Sequence, residues 1–144
     1  MTTLSLDAAR TIAEATLKKG RETNCQPLAV AVLDSGGHAK VILREDGAGI
    51  LRNQIAEGKA YGAIGLGGNS RAFAERLARE PATAPTLFNA IAAMADGKVV
   101  AVPGGVLIKD KNGVLLGAVG VSGDLSDKDE ACALAGIAAA GFPV

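Results

Sequence analysis

The spacing of apolar and polar positions changes period several times along the chain, and each change marks an element. From Ser5 to Lys19, Ala9, Ile12, Ala13, Thr16 and Leu17 fall on one face and Arg10, Glu14 and Lys18 on the other, which predicts an amphipathic helix stopped by Gly20. Leu28 to Leu33 is continuously apolar, the pattern of a central strand covered on both faces. Asp34 to Gly37 predicts a turn, and Ala39 to Arg44 the returning strand of a hairpin. Ile50 to Ile64 regains helical spacing through Ile55, Ala56, Lys59, Ala60, Ala63 and Ile64, so Lys59 is expected in the apolar stripe and not in solvent. Gly65 to Gly68 breaks that helix. Asn69 or Ser70 is expected to cap the next one, which turns Phe73 and Leu77 inward. Leu87, Ile91 and Met94 mark a short helix ended by Gly97, and Val99 to Val102 a short strand or extended entry before Pro103.

The last third reads as a second hairpin and a helix. Val106 to Ile108 and Val114 to Val121 flank Asp110-Lys111-Asn112-Gly113, and Asn-Gly between apolar runs is a strong hairpin signal. Gly117, Gly120 and Gly123 leave the second strand without side chains where another backbone or a ligand can lie against it. Ser126 opens the final helix, with Asp129 three residues on in a variant capping box and Asp127, Asp129 and Glu130 facing the positive end of its dipole. Hairpins require an antiparallel sheet, and helices before, between and after them cover it. This order predicts an α+β fold.

Composition narrows the function. A length of 144 residues suits one domain, spanning 1–144. Hydrophobic residues make up 49% of the chain, yet no uncharged apolar run approaches the roughly 20 residues of a membrane helix. Lys plus Arg and Asp plus Glu each total 15, so there is no basic face for nucleic acid or an anionic membrane. The N-terminus shows no apolar segment after a basic start, and a cytoplasmic location is expected. Cys25, Cys132 and a single histidine cannot assemble a zinc or iron–sulfur ligand set, so no metal site is expected and the cysteines read as buried thiols. Small side chains, few aromatics and zero net charge favour close packing and self-association into a homo-oligomer.

Few residues offer chemistry. Gly65-Leu66-Gly67-Gly68 follows a helix, not a strand, and lacks the Gly-Lys-Ser/Thr of a phosphate loop, so it reads as a helix break. No base and orienter accompany a serine or cysteine nucleophile, and no hydrolase is signalled. Arg44, Asp46 and Lys59 are the more interesting set. A charge on the inner face of a helix needs a partner or a ligand, because unpaired burial is costly. Asp46 and Lys59 are therefore expected either as an internal pair pinning hairpin to helix or as the charged lining of a cavity, and they are the catalytic candidates. Lys59 would anchor a carboxylate there, and Arg44 would do so with bidentate geometry. Tyr61, the only tyrosine, and Asp129, otherwise explained by helix capping, are further ligand-binding candidates. Gly104 and Gly105 form a loop without side chains, which is either a turn or a set of amides for an anion.

Pro103-Gly104-Gly105, then Gly117 to Gly123, then Asp129-Glu130 and an alanine-rich close resemble the GlcG/HbpS family of haem-binding proteins, which also occurs as the C-terminal domain of PduO-type proteins. Ala29 to His38, Arg44-Glu45-Asp46-Gly47-Ala48 and Lys59-Ala60 follow in the family's order, so the likeness covers nearly the whole chain. It implies a single antiparallel sheet of about five strands flanked by helices, similar to profilin or sensor-domain folds, in a homo-oligomer with haem as the ligand. His38 is the only imidazole, the usual strong haem ligand, but its place beside Gly36-Gly37 favours an exposed hairpin residue. No haem ligand of the family maps onto it, which leaves a weak oxygen ligand or a neighbouring subunit. Three readings stand: a protein binding haem or another small anionic ligand in a pocket of the oligomer, an enzyme of a catabolic pathway using Asp46 and Lys59 on a small organic acid, and a non-catalytic scaffold or sensory partner.

Overall fold

A computed structural model describes residues 3–144. Among the described residues nine elements follow one another: α1 (Leu6–Glu22), β1 (Ala29–Asp34), β2 (Ala39–Arg44), α2 (Arg52–Leu66), α3 (Ser70–Arg79), α4 (Ala84–Met94), β3 (Gly105–Lys109), β4 (Leu115–Ser122) and α5 (Ser126–Ala139). The two hairpins, β1–β2 and β3–β4, join through antiparallel pairing of β1 with β4, giving the strand order β2-β1-β4-β3. The fold is α+β. The sheet has four strands, not about five, because Val99 to Val102 stays irregular; Val99 and Val100 instead pack over Gly62 and Gly58 of α2.

Side-chain size divides the sheet into two unlike faces. Val30 and Val32 of β1 and Val119 and Val121 of β4 point to one side, where they meet Ile12 of α1 and Ala133 and Ile137 of α5 in the main core. Ala29, Ala31 and Ala118 point to the other, against Ala56, Ala60 and Ala63 of α2. Pairing puts Gly120 opposite both Ala31 and Gly105 on this second face. A Cβ on Gly120 would fall onto the carbonyl oxygen of Ala56, and one on Gly105 onto that of Lys59. The helix therefore rests on the sheet backbone to backbone. This is the close approach expected of the strand glycines.

Several local expectations are corrected by tertiary contacts. Gly20 does not stop α1; it lies inside the helix, where the missing side chain admits Leu28. The reversal is made by Asn24, at φ 56°, one of the few residue types that tolerate a left-handed conformation. Ser5 does cap α1, accepting from the Ala8 amide at 3.1 Å. Asn69 stands at the N-cap of α3, as expected, but neither its side chain nor that of Ser70 makes a capping hydrogen bond. Ser70 Oγ accepts from the Gly105 amide at 2.8 Å and Asn69 Oδ1 from the Leu107 amide at 2.9 Å, so both serve the outer edge of β3. The helix over 50–64 begins at Arg52, which leaves Ile50 and Leu51 outside it and exposed.

Gly120→Val should therefore destabilise the fold by about 3 kcal/mol or more, since neither backbone can give way. Gly65→Ala, in an open position of α2, should instead stabilise it by about 0.5–1 kcal/mol. Urea midpoints of the two variants check the contrast; a tolerated Gly120→Val would contradict the contact.

Candidate functional site

Lys59 sits in the middle of α2, on the stripe facing the sheet, and is 2% exposed. Its Nζ donates to the Val121 carbonyl at 2.8 Å and to Asp129 Oδ2 at 3.1 Å. The other carboxylate oxygen of Asp129 accepts from the Asp124 amide at 3.0 Å. Gly104, at φ +125°, passes so close that a Cβ there would stand 2.9 Å from the ammonium. Lys59, Gly104, Gly105 and Asp129 are thus brought together. The partner of Lys59 is Asp129 and not Asp46, and the carboxylate first explained by capping is turned inward. Burial pushes the Lys59 ammonium below its ordinary value and the Asp129 carboxyl above its own, in each case against the attraction of the other. Both shifts favour the neutral forms, the behaviour of a pair whose desolvation outweighs its Coulomb gain.

The remaining candidates lie in three other places. Arg44 and Asp46 are exposed at the end of β2, where with Arg21, Pro27 and Glu45 they line an open cleft of about 410 Å3. Arg21 Nε pairs with Glu45 Oε2 at 3.0 Å, and Arg44 Nη1 donates to the Ala48 carbonyl at 2.7 Å. Tyr61, on α2 two residues after Lys59, rests on Gly37 with the Lys98 ammonium 5.4 Å from its ring centroid. His38 is exposed in a cleft with Asp34, Lys40 and Leu116. An acid–base pair of Asp46 and Lys59 is not assembled: one is exposed, and the other is closed off with Asp129.

One charged side chain beside the buried pair escaped sequence reasoning. Arg52 Nη1 donates to Ser122 Oγ at 3.1 Å, at the end of β4 beside the buried pair. It stands seven residues before Lys59 on the same helical stripe, a spacing that could have found it. Arg52 also borders a shallow cleft with Gly49, Ile50, Leu51 and Ile55. Ile50 is 87% exposed and Leu51 59%, so the start of α2 presents apolar side chains to solvent beside Arg52.

The family model described as haem degrading protein HbpS-like matches residues 4–138. The chain belongs to the HbpS-like family. Among solved structures, a double mutant of Streptomyces reticuli HbpS shares 30% identity over 96% of this chain and 87% of that one, with a TM-score of 0.78. Klebsiella pneumoniae protein ORFY shares 26% identity over 97% of this chain and 92% of its own, with a TM-score of 0.84. A PduOC:heme complex is similar in fold, with a TM-score of 0.85 over 99% of this chain and 98% of that one at 23% identity. Among curated proteins, none matches the sequence. In this HbpS-like chain no helix of the described residues is long and apolar enough to cross a membrane.

Lys59→Met should cost about 3–5 kcal/mol, because it strands a buried carboxylate. Adding Asp129→Asn, which keeps an acceptor for the Asp124 amide, should recover most of that loss in a double-mutant cycle. The sign of the pH dependence follows from the raised Asp129 carboxyl, which is no longer opposed by an ammonium in Lys59→Met. The folded variant holds a proton that the unfolded chain releases, so its stability falls as pH rises from the ordinary carboxylate range to the raised value. Urea midpoints at several pH values measure this; a flat profile in Lys59→Met would contradict the assignment.

Proposed function

We propose that this HbpS-like protein binds haem as a homo-oligomer, at the end of the sheet where α2 begins. The observation that carries the reading is the family match over residues 4–138. The binding of haem by a protein of the same fold supports it. Haem requires an apolar surface for its ring, cations for its propionates and a donor for its iron. Ile50, Leu51 and Ile55 supply the first, and Arg44 and Arg52 the second. The segment 44–55 holds no His, Tyr, Cys or Met, so the donor would be an oxygen atom or a side chain of a second subunit. When bound, haem supplies a redox-active iron. This chain's part is to hold the ring and its carboxylates: Lys59, Gly104, Gly105 and Asp129 act from below, fixing the helix that carries Arg52, while Asp46 stands at the rim. Tyr61 and His38 lie away from this end. Ile50 and Leu51, with Leu125 and Met94, are also among the exposed apolar side chains a second copy would cover.

Titration of the purified protein with haem should give a saturable Soret band. Arg52→Ala and Arg44→Ala should each weaken binding about 10-fold or more, the effect of a lost hydrogen bond to a charged group, whereas His38→Ala should bind normally. Loss of binding in His38→Ala alone would move the site to the β1–β2 turn. Light scattering at micromolar concentration tests assembly separately: a mass above that of one chain is expected, and Ile50→Asp should lower it. A monomeric wild-type protein would refute the oligomer.

A further inference from the structure

Cys25 and Cys132 are 107 positions apart in sequence, yet their Sγ atoms lie 3.9 Å from each other. Cys25 follows the turn at Asn24, and its backbone is held at both ends: its amide donates to the Gly20 carbonyl at 2.9 Å and its carbonyl accepts from Arg21 Nη2 at 2.7 Å. Cys132 is in the second turn of α5, one turn beyond Asp129. Both thiols are free and buried, Cys25 at 4% exposure and Cys132 at 1%. Two thiols in contact on two fixed backbones differ from an isolated core cysteine, because each is the other's nearest reaction partner. Closing the gap to a bonded distance takes roughly 2 Å of sulfur movement, within reach of side-chain rotation.

We propose that Cys25 and Cys132 form a redox modification site, which a peroxide converts to an intramolecular disulfide. The Cys25 sulfur attacks one peroxide oxygen; the S–O bond forms, the O–O bond breaks, and the departing hydroxide takes a proton to leave as water. The Cys132 sulfur then attacks the Cys25 sulfenic sulfur, the S–S bond forms, and the hydroxyl leaves with the Cys132 proton as a second water. Two thiols are oxidised by two electrons and one peroxide is reduced to two waters. The order follows from position: Cys25 is the more exposed, while burial and the neighbouring Cys25 push the Cys132 thiol up to about 12, so it keeps its proton until a partner is at hand. The bond would staple the α1–β1 connection to the helix that carries Asp129. It would close most of the chain into one loop and so constrain the unfolded state.

Hydrogen peroxide added to the intact wild-type protein, followed by alkylation and non-reducing peptide mapping, tests the assignment. Expected are loss of both free thiols, a single linkage of the Cys25 and Cys132 peptides within one chain, recovery of both thiols by dithiothreitol, and a higher melting temperature for the oxidised form. Thiols that stay reduced, oxidation to sulfinic acid without a linkage, or a linkage between chains would each overturn it. In Cys132→Ala, Cys25 should accumulate as a dimedone-reactive sulfenic acid. An unmodified Cys25 in that variant would overturn the order of attack, and the wild-type map decides the linkage whether or not the variant folds.

Discussion

An ammonium removed from water needs fixed oxygen acceptors around it, and the sheet, α2 and α5 are spaced to supply them to Lys59. One acceptor is the Val121 carbonyl of β4 and the other the Asp129 carboxylate of α5, so a single side chain joins three elements. Its reach requires α2 to lie at backbone contact with the sheet, which is why Gly105 and Gly120 carry no side chain beneath it. The same charge fixes the rotation of α5. With Asp129 turned inward, helical periodicity brings Cys132, Ala133, Gly136 and Ile137 onto the same buried stripe. Gly136 then meets Ile12 and Thr16, and α1 closes against α5. One buried charge thus sets the register of two layers.

The two faces of the sheet divide their labour by side-chain volume. Valine, leucine and isoleucine gather between the sheet and the α1–α5 pair, where burial of large apolar groups supplies most of the stabilisation. The alanine and glycine face beneath α2 buries little area per residue and leaves no space between layers. An interior pocket on that side is sterically closed. That face reaches solvent at its margin, where α2 begins with Arg52 behind the exposed Ile50 and Leu51.

The elements were legible in the sequence because each has its own period: the two hairpins, the amphipathic first helix and the inward lysine are all local signals. What local signals cannot give is which distant group meets which. Lys59 announces that it needs a partner, but Asp46 and Asp129 are equally acidic on paper, and only the pairing of β1 with β4 brings α5 to the lysine. Asn69 and Ser70 have the chemistry of helix caps. The open edge of β3 competes for the same oxygens and wins, because edge amides near the layer interface have no other acceptor. Val99 to Val102, expected as a short strand or an extended entry, forms no strand for a related reason: Gly58 and Gly62 offer its valines a helix surface to pack on. The contact of Cys25 with Cys132 has no local signature.

How the sheet ends bears on whether another strand could extend it. Ser70 and Asn69 already occupy the outer amides of β3, so that edge offers little to an incoming strand. The outer edge of β2 is open, but its exposed residues include Lys40 and Arg44, and the like charges of two such edges repel one another. Neither edge invites extension of the sheet. Any association would fall to side chains standing clear of the sheet, among them Ile50 and Leu51 where α2 begins. Arg44 then has two consequences from one position. It places a charge on the open β2 edge, and its bond to the Ala48 carbonyl ties that edge to the turn leading into α2.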